Sequence, residues 1–243
     1  MTRCVRAYIE QTPTTVGEEC FLSEDEAIHL SRVLRLQAGA TIECLDGQGG
    51  CFQAECLEVH RSRVQIRILS IQQSVPQVPE IRLAVALGKG SKWEELIRPV
   101  TELGVSRLTP LVSERTEGGF PLSKFESKKI RWQKIAQEAC KQSGNLWTPE
   151  FDQPVSFMDL IEEITDDHEC WMGSLHSQSK KFAPSMSRKK ISLLIGPEGG
   201  WTQQEEQMAH EHGVSFFTLG KNTLRLETAA VSALAVARQH LLC

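Results

Sequence analysis

Three apolar runs end in glycine, and the residues at their ends could bind a small ligand. LLIGPEGG (193–200) places Glu198 between a proline and two glycines, while FFTLGKN (216–222) and CWMGSLH (170–176) end the other two runs. Ligands bind beyond the carboxyl ends of strands in doubly wound sheets, so these ends predict one backbone-lined pocket. The usual phosphate-binding motifs are absent. Because Glu198 and Glu227 stand near two of the turns, a cationic sulfonium or ammonium ligand is favoured over a nucleotide triphosphate.

A parallel sheet is needed to bring these strand ends together, and the second part of the chain has the pattern for one. IRLAVALG (81–88) and ISLLIG (191–196) are continuous apolar runs, and residues 92–104 have helical spacing. Two-sided apolar strands alternating with helices are typical of a mostly parallel sheet covered on both faces. Thr202 and Glu205 form a capping box, which predicts a helix directly after the glycine turn.

The first part of the chain has a different, mostly β pattern. Residues 41–59 contain a hairpin signal, and residues 63–69 alternate strictly between polar and apolar. A short helix is predicted to begin at Ser23. Its apolar face consists of Ala27, Leu30, Val33 and Leu34. The polar stretch 70–80 has two prolines and indicates a linker. We therefore predict a small β-barrel in residues 1–73 and an α/β domain in residues 78–243.

Composition excludes several classes of protein. The chain has 243 residues and a formal net charge of -4, so a nucleic acid would have to be bound by a local basic patch. None of the eight cysteines forms a C-x-x-C pair, so we expect reduced thiols and no metal site. The start of the chain lacks an apolar signal core, and the longest apolar stretch is too short to span a bilayer. We therefore expect a cytoplasmic protein with no membrane association.

Two segments resemble the knot-forming motifs of ribosomal RNA small subunit methyltransferase E. This family belongs to the SPOUT class of S-adenosylmethionine-dependent methyltransferases. The segments are LLIGPEGGWTQQE (193–205) and TLGKNTLRLETAAVSAL (218–234). HLSRVLR (29–35), KWEELIRPVTELGVSRLTPLVSER (92–115) and WQKIAQEACKQSG (132–144) also follow the family in order. The resemblance therefore covers essentially the whole chain.

The resemblance implies a fold and a reaction. The N-terminal domain would be a PUA-like, RNA-binding β-barrel. The C-terminal domain would be a SPOUT-type α/β domain with a mostly parallel sheet and a deep trefoil knot. The chain would form a homodimer and use S-adenosyl-L-methionine to methylate N3 of a specific uridine in 16S rRNA of the small ribosomal subunit.

The resemblance also implies roles for individual residues. Gly196, Gly199 and Gly200 would let the backbone approach the methyl donor, and Pro197 would stiffen the turn. The donor pocket would consist of Leu175, His176, Ile195, Gly196, Pro197, Glu198, Gly199, Gly200, Leu219, Gly220, Leu224 and Leu226. Arg225 could stabilise negative charge at the uracil carbonyls. Glu227 and Glu198 are candidates for the base that accepts the N3 proton, and the proton could equally leave to water. A salt bridge from Arg225 to either carboxylate is the competing interpretation.

RNA contacts are predicted in two clusters. His29, Arg32 and Arg35 lie loosely on one side of a helix, where a solvated surface is the alternative to RNA binding. Lys89 and Lys92 lie in a loop that resembles a phosphate-binding helix start, and contact with RNA or with solvent remains open.

Three positions depart from the family pattern. Asn145 and Asn222 stand where the family usually has arginine, and Leu226 replaces a usual threonine. Both asparagines remove positive charge that could face RNA. They keep a second interpretation open, in which the chain is a noncatalytic RNA-binding or ribosome assembly factor that retains the SPOUT fold. A SPOUT enzyme acting on tRNA is a third.

The small residues of the last helix, ETAAVSALAVA (227–237), also allow two interpretations. Small side chains permit close helix packing, either inside one domain or between subunits. The resemblance favours a subunit interface, with Ala233 as a contact position.

Overall fold

The computed structural model describes residues 4–87, 92–116, 124–165, 167–175, 182–185 and 187–241. The described residues form two compact units. Unit 1 contains the chain up to Pro76 together with Gln137–Thr148. Unit 2 contains Gln77–Ala136 and the chain from Pro149 onward.

Unit 1 is built on a five-stranded sheet. Its strands are β1 (Arg6–Tyr8), β2 (Glu19–Phe21), β3 (Thr41–Leu45), β4 (Gly50–His60) and β5 (Arg63–Gln73). The order is β1-β3-β4-β5-β2, with β1 and β3 parallel and the other neighbours antiparallel. Apolar side chains from alternate positions fill its core, among them Ile42, Phe52, Ile66 and Ile68, each at most 1% exposed.

The predicted hairpin in residues 41–59 is confirmed by the pairing of β3 with β4. Gly47 and Gly49 in its turn have φ values of 72° and 91°, which favour glycine. The Asp46 carboxylate accepts hydrogen bonds from the backbone N–H groups of Gln48 and Gly50, each at 2.8 Å. The turn is therefore fixed by its own side chain.

The helix predicted from Ser23 is shorter than its apolar periodicity indicates. Helix α1 (Glu24–Ile28) begins at Ser23, whose hydroxyl accepts from the Glu26 N–H, and a π-helical turn (His29–Val33) follows it. The prediction that Val33 and Leu34 belong to the buried face is wrong, because they are 65% and 41% exposed. A π turn uses extra residues per turn, so side chains beyond Leu30 leave the phase of the buried face.

Residues 137–148 pack within unit 1 through long-range contacts. The Lys141 ammonium pairs with the buried carboxylate of Glu26, 115 positions earlier in the chain. The Gly49 N–H donates to the Leu146 carbonyl at 2.9 Å. This segment includes the C-terminal end of the long helix α3 (Phe125–Ser143).

Unit 2 contains a seven-stranded sheet. Its strands are β6 (Glu80–Ala86), β7 (Arg107–Val112), β8 (Glu150–Phe151), β9 (Val155–Ser156), β10 (His168–Gly173), β11 (Lys190–Ile195) and β12 (Ser215–Phe217). The order is β12-β10-β11-β6-β7-β8, and β9 also pairs with β7. Every neighbouring pair is parallel. The predicted parallel sheet is therefore confirmed.

Both faces of this sheet are covered, as the continuous apolar strands predict. The other helices are α2 (Lys92–Glu102), α4 (Phe157–Glu162), α5 (Gln203–Glu211) and α6 (Leu226–Leu241). Leu83 and Val85 of β6 pack in one core with residues of α2, α3 and α6. Ala84, which points to the opposite face, packs in a second core with residues of α4 and α5. The carboxyl ends of the strands are thus held by two independent hydrophobic cores.

Helix α6 uses its small residues inside unit 2. Ala230, Ala233 and Ala237 are fully buried in the first core, and α6 packs against α2. The assignment of Ala233 to a subunit contact is wrong, because its side chain already faces the interior of its own subunit. The small side chains allow the two helices to approach closely, which is the alternative that the sequence left open.

Candidate active site

The three glycine-bearing strand ends line one pocket in unit 2. The pocket has a volume of about 750 Å³ and lies at the carboxyl ends of β10, β11 and β12. This position is where doubly wound sheets bind ligands. We call it the strand-end pocket.

Nine of the twelve residues implied for the donor pocket line this space. They are Leu175, Ile195, Gly196, Pro197, Glu198, Gly200, Leu219, Leu224 and Leu226. Gly199 and Gly220 belong to the same turns but do not line it. His176 lies outside the described residues.

Gly196 must lack a side chain because another side chain of the folded protein packs against it. A Cβ atom at this position would lie 2.7 Å from the indole of Trp201. The Trp201 Nε1–H donates to the Gly173 carbonyl at 2.8 Å, and the indole is 8% exposed. The indole therefore links the end of β11 to the end of β10. The missing side chain of Gly196 makes room for this link.

The other glycines of the turns differ from Gly196. Gly200 has φ +70° and Gly220 has φ +145°, and nothing lies within 4 Å of a Cβ built on either. Both positions thus favour glycine because of backbone conformation rather than crowding. A Cβ at Gly199 would be in ordinary contact with Arg115 at 3.5 Å.

Arg115 fixes the glycine turn, and the sequence did not identify it as a site residue. Its Nη1 donates to the Gly199 carbonyl at 2.9 Å and to the Trp201 carbonyl at 3.1 Å. A guanidinium suits this task because its N–H groups form a rigid fork. The only signal in the sequence was its place at the end of the family-like segment 92–115.

The helix behind the turn begins at a complete capping box, as predicted. The Thr202 hydroxyl accepts from the Glu205 N–H, and Glu205 Oε2 accepts from the Thr202 N–H at 2.8 Å. Glu205 Oε1 also accepts from the Glu114 N–H at 3.0 Å. Since Glu205 is only 6% exposed, these bonds stabilise both the start of α5 and the loop after β7.

The pocket is also lined by residues that the sequence analysis did not assign to the donor site. They are Gly173, Ser174, Trp201, Gln203, Glu206, Phe217, Thr218, Thr223 and Ala229, in addition to Arg115 and Asn222. The Ser174 hydroxyl donates to Glu206 Oε1 at 2.8 Å, so β10 and α5 are joined across the wall. Asn222, one of the two asparagines that depart from the family pattern, lines this pocket.

The three catalytic candidates occupy different environments. Glu198 is exposed and lines the pocket. Arg225 is exposed and lies between the two lining residues Leu224 and Leu226. Glu227 is half-buried in the first turn of α6, and among the described residues its Oε2 has no hydrogen-bond partner.

The residues predicted to contact RNA are only partly described. His29 is half-buried, and Arg32 and Arg35 are exposed on or directly after the π turn of unit 1. Lys89 lies outside the described residues, and Lys92 begins α2 without a described side chain. Asn145 follows α3 in unit 1, where its Oδ1 accepts from the Trp147 N–H at 3.1 Å.

Comparison with known proteins identifies both parts of the chain. Residues 76–238 match the RNA methyltransferase domain family, and residues 22–69 match the RNA methyltransferase PUA domain family. Ribosomal RNA small subunit methyltransferase E of Synechocystis is 37% identical over 218 residues, covering 85% of this chain and 68% of the relative. The Bacillus subtilis enzyme of the same name is 32% identical over 244 residues, covering 95% and 94%.

The chain belongs to the ribosomal RNA small subunit methyltransferase E family. A solved structure of the Neisseria gonorrhoeae member, bound to S-adenosyl methionine, superposes with a TM-score of 0.85 at 29% identity and 96% coverage of each chain. A Legionella pneumophila methyltransferase in complex with SAM gives a TM-score of 0.84 at 31% identity and 97% coverage of each chain.

The predicted family is thereby confirmed, and so is the α/β fold class with a mostly parallel sheet and a PUA domain at the N-terminus. The trefoil knot stays a prediction. No helix in the described part of the chain is long and apolar enough to cross a membrane. The same residues contain no group of three or more metal-ligating side chains.

Proposed function

We propose that this member of the family binds S-adenosyl-L-methionine in the strand-end pocket and methylates N3 of one uridine in 16S rRNA. The observation that carries the proposal is the meeting of three glycine-bearing strand ends around one pocket. The relatives from Neisseria gonorrhoeae and Legionella pneumophila bind S-adenosylmethionine, and the fold of this chain matches both.

The pocket suits the donor in size and chemistry. Its volume of about 750 Å³ lies within the usual range for small-molecule sites. Leu175, Leu219 and Leu224 supply apolar surface for a purine ring, and Leu175 is 62% exposed without a ligand. The carboxylates of Glu198 and Glu206 suit the positive charges of the donor's ammonium and sulfonium groups.

The remaining chemistry concerns uracil. The bound donor supplies an electrophilic methyl group, and the chain must orient the uridine and accommodate loss of the N3 proton. Arg225 would stabilise negative charge developing on the carbonyl oxygens beside N3. Glu227 and Glu198 are the candidates for accepting the proton, and solvent is the alternative acceptor.

The family resemblance adds two structural proposals. The turns at 196–200 and 219–227 would take part in a deep trefoil knot, and the chain would work as a homodimer in the cytoplasm. Since Ala233 is buried, a subunit interface on α6 would use its other face. Ser232 and Ala235 are only partly buried and lie on that face.

The test uses small ribosomal subunits from a strain that lacks the corresponding gene. Purified protein with methyl-labelled S-adenosylmethionine should introduce one methyl group, which nuclease mapping and mass spectrometry should locate on a uridine at N3. A methyl group at another atom, or on tRNA instead, would refute the proposed specificity. Incubation with naked 16S rRNA tells whether the assembled subunit is required.

A noncatalytic RNA-binding or assembly factor is the second candidate. It is favoured by Asn145 and Asn222, which replace arginines that the family pattern leads us to expect. Methyl transfer separates the two candidates, because both would bind donor and RNA in calorimetry and only the enzyme would methylate the subunit. Methylation of the subunit above the background without protein would exclude the noncatalytic alternative.

A further inference from the structure

Phe21 at the end of β2 is unusual among the phenylalanines of this chain. It is 48% exposed, whereas every other phenylalanine in the described residues is at most 7% exposed. β2 is an edge strand that pairs only with β5, where Phe21 lies opposite Gln65. A single exposed apolar side chain is common on protein surfaces, so the significance of Phe21 depends on what lies against its ring.

A guanidinium lies against this ring. The Arg63 guanidinium carbon is 4.2 Å from the centroid of the Phe21 ring, a cation–π arrangement. The next pair along the two strands is Glu19 with Arg67, joined at 2.8 Å. No carboxylate forms a salt bridge with Arg63 in the described part of the chain. The Phe21–Arg63 pair therefore presents an aromatic ring and an uncompensated positive charge together.

More positive charge lies next to the pair. Arg61 is exposed in the turn between β4 and β5, two positions before Arg63. The Ser31 hydroxyl donates to the Arg61 carbonyl at 3.0 Å, which joins this turn to the π turn. Arg32 and Arg35 follow Ser31 and are both exposed. One edge of unit 1 thus combines four arginines with an exposed phenylalanine.

We propose that the Phe21–Arg63 pair is a stacking platform for an unpaired RNA base, with Arg32, Arg35 and Arg61 contacting the flanking phosphates. This inference rests on the proposed function, because it names the form of RNA that unit 1 binds. Planar guanidinium groups and aromatic rings stack on bases, and arginine also pairs with phosphate. Bases in a double helix are already stacked on each other, so the platform requires a single-stranded segment.

The charge of this edge favours RNA over a protein partner. Val33 and Leu34 are also exposed there and alone would suit an apolar protein surface. The exposed arginines of these neighbouring segments would each have to be desolvated in such an interface. RNA would provide phosphates for the arginines and planar bases for the phenylalanine ring.

The test measures binding of the full-length protein to fluorescein-labelled decauridylate and to a ten-base-pair RNA duplex by fluorescence anisotropy. Phe21→Leu keeps apolar bulk but removes the aromatic face, and it should weaken decauridylate binding by about 5- to 100-fold, the range typical of one stacked base. Phe21→Tyr should bind within about twofold of wild type, because tyrosine also stacks. Leu69→Ala on β5 is the matched control, since Leu69 is 44% exposed and lies away from the pair in sequence.

Salt dependence separates stacking from charge. Phe21→Leu should keep the wild-type slope of log affinity against log salt, whereas Arg61→Ala should reduce it by about one. The proposal is overturned if Phe21→Leu binds decauridylate like wild type, or if wild type prefers the duplex. If the proposed function were wrong, methylation would be absent while these differences in RNA binding remained. The two failures can therefore be distinguished.

Discussion

Arg115→Ala tests whether the glycine turn must be held in place for the donor to bind. The guanidinium donates to two carbonyl oxygens, those of Gly199 and Trp201, on either side of Gly200. Gly200 has φ +70° and no side chain, and the turn itself holds one backbone bond, from the Gly200 N–H to the Pro197 carbonyl at 2.9 Å. Removal of the side chain should therefore release the turn without removing any core contact.

The expected loss follows from the two hydrogen bonds. A hydrogen bond contributes about 0.5–1.5 kcal/mol net, and bonds made by charged groups contribute about 1.5–3 kcal/mol. Arg115 is exposed, so solvent competes and the lower range applies. Two bonds then give about 1–3 kcal/mol, which corresponds to about 5- to 160-fold weaker donor binding if the ordered turn is required.

Isothermal calorimetry with S-adenosylmethionine measures this loss directly. Arg98→Ala is the matched control, because Arg98 is an exposed arginine on α2 that does not line the strand-end pocket. Arg115→Lys keeps the charge but lacks the rigid fork, so its affinity should fall between those of wild type and Arg115→Ala. Wild-type donor affinity in a folded Arg115→Ala protein would refute the reasoning.

Three further predictions concern other parts of unit 2. Gly196→Ala should lower the free energy of unfolding by about 1–3 kcal/mol in urea titrations, because the new Cβ would displace the Trp201 indole. Ser232→Arg should convert the proposed dimer to monomers in light scattering, and a dimer of unchanged mass would contradict an interface on that face. The pKa of His168 is lowered by burial and by neighbouring cations, so stability should fall as pH drops below the ordinary histidine pKa of about 6.5, where only the unfolded chain gains the proton. His168→Gln should flatten this dependence in urea midpoints measured from pH 7.5 to 5.

The position of the strand-end pocket could be predicted from the sequence because it depends on a general property of parallel sheets. The carboxyl ends of neighbouring parallel strands lie at one edge, so three glycine-bearing ends had to come close together. The capping box at Thr202 was equally local, because its two residues are three positions apart. Such features require only the pattern of one segment.

Other features of the pocket depend on contacts between distant segments. The Trp201 indole bonds to Gly173, 28 positions earlier, and Arg115 reaches the glycine turn from 84 positions before Gly199. No local pattern distinguishes these side chains from other tryptophans or arginines. The role of Gly196 in the approach of the donor stays a prediction, and the sequence did not reveal the contact of this residue with the Trp201 indole.

Unit 1 shows how a small change in helical phase alters the surface. The spacing of Ala27, Leu30, Val33 and Leu34 fits an α-helix, and the first two are buried as that spacing predicts. The π turn His29–Val33 breaks the phase, so the last two become exposed beside Arg32. Propensity and periodicity cannot reveal such a turn, because it is stabilised by tertiary contacts such as that of Ser31 with the Arg61 carbonyl.

Asn222, which stands where the family usually has arginine, affects the electrostatics of the pocket and therefore the proposed RNA binding. Asn222 lines a pocket that also contains the carboxylates of Glu198 and Glu206, while its one described cation, Arg115, already donates to backbone carbonyls. With asparagine instead of arginine at this position, the electrostatic potential in the pocket is more negative. A negative field favours a cationic donor and opposes the approach of phosphates. The proposed RNA affinity would then come from elsewhere in the chain, and the arginines proposed to contact RNA beside Phe21 in unit 1 could supply part of it.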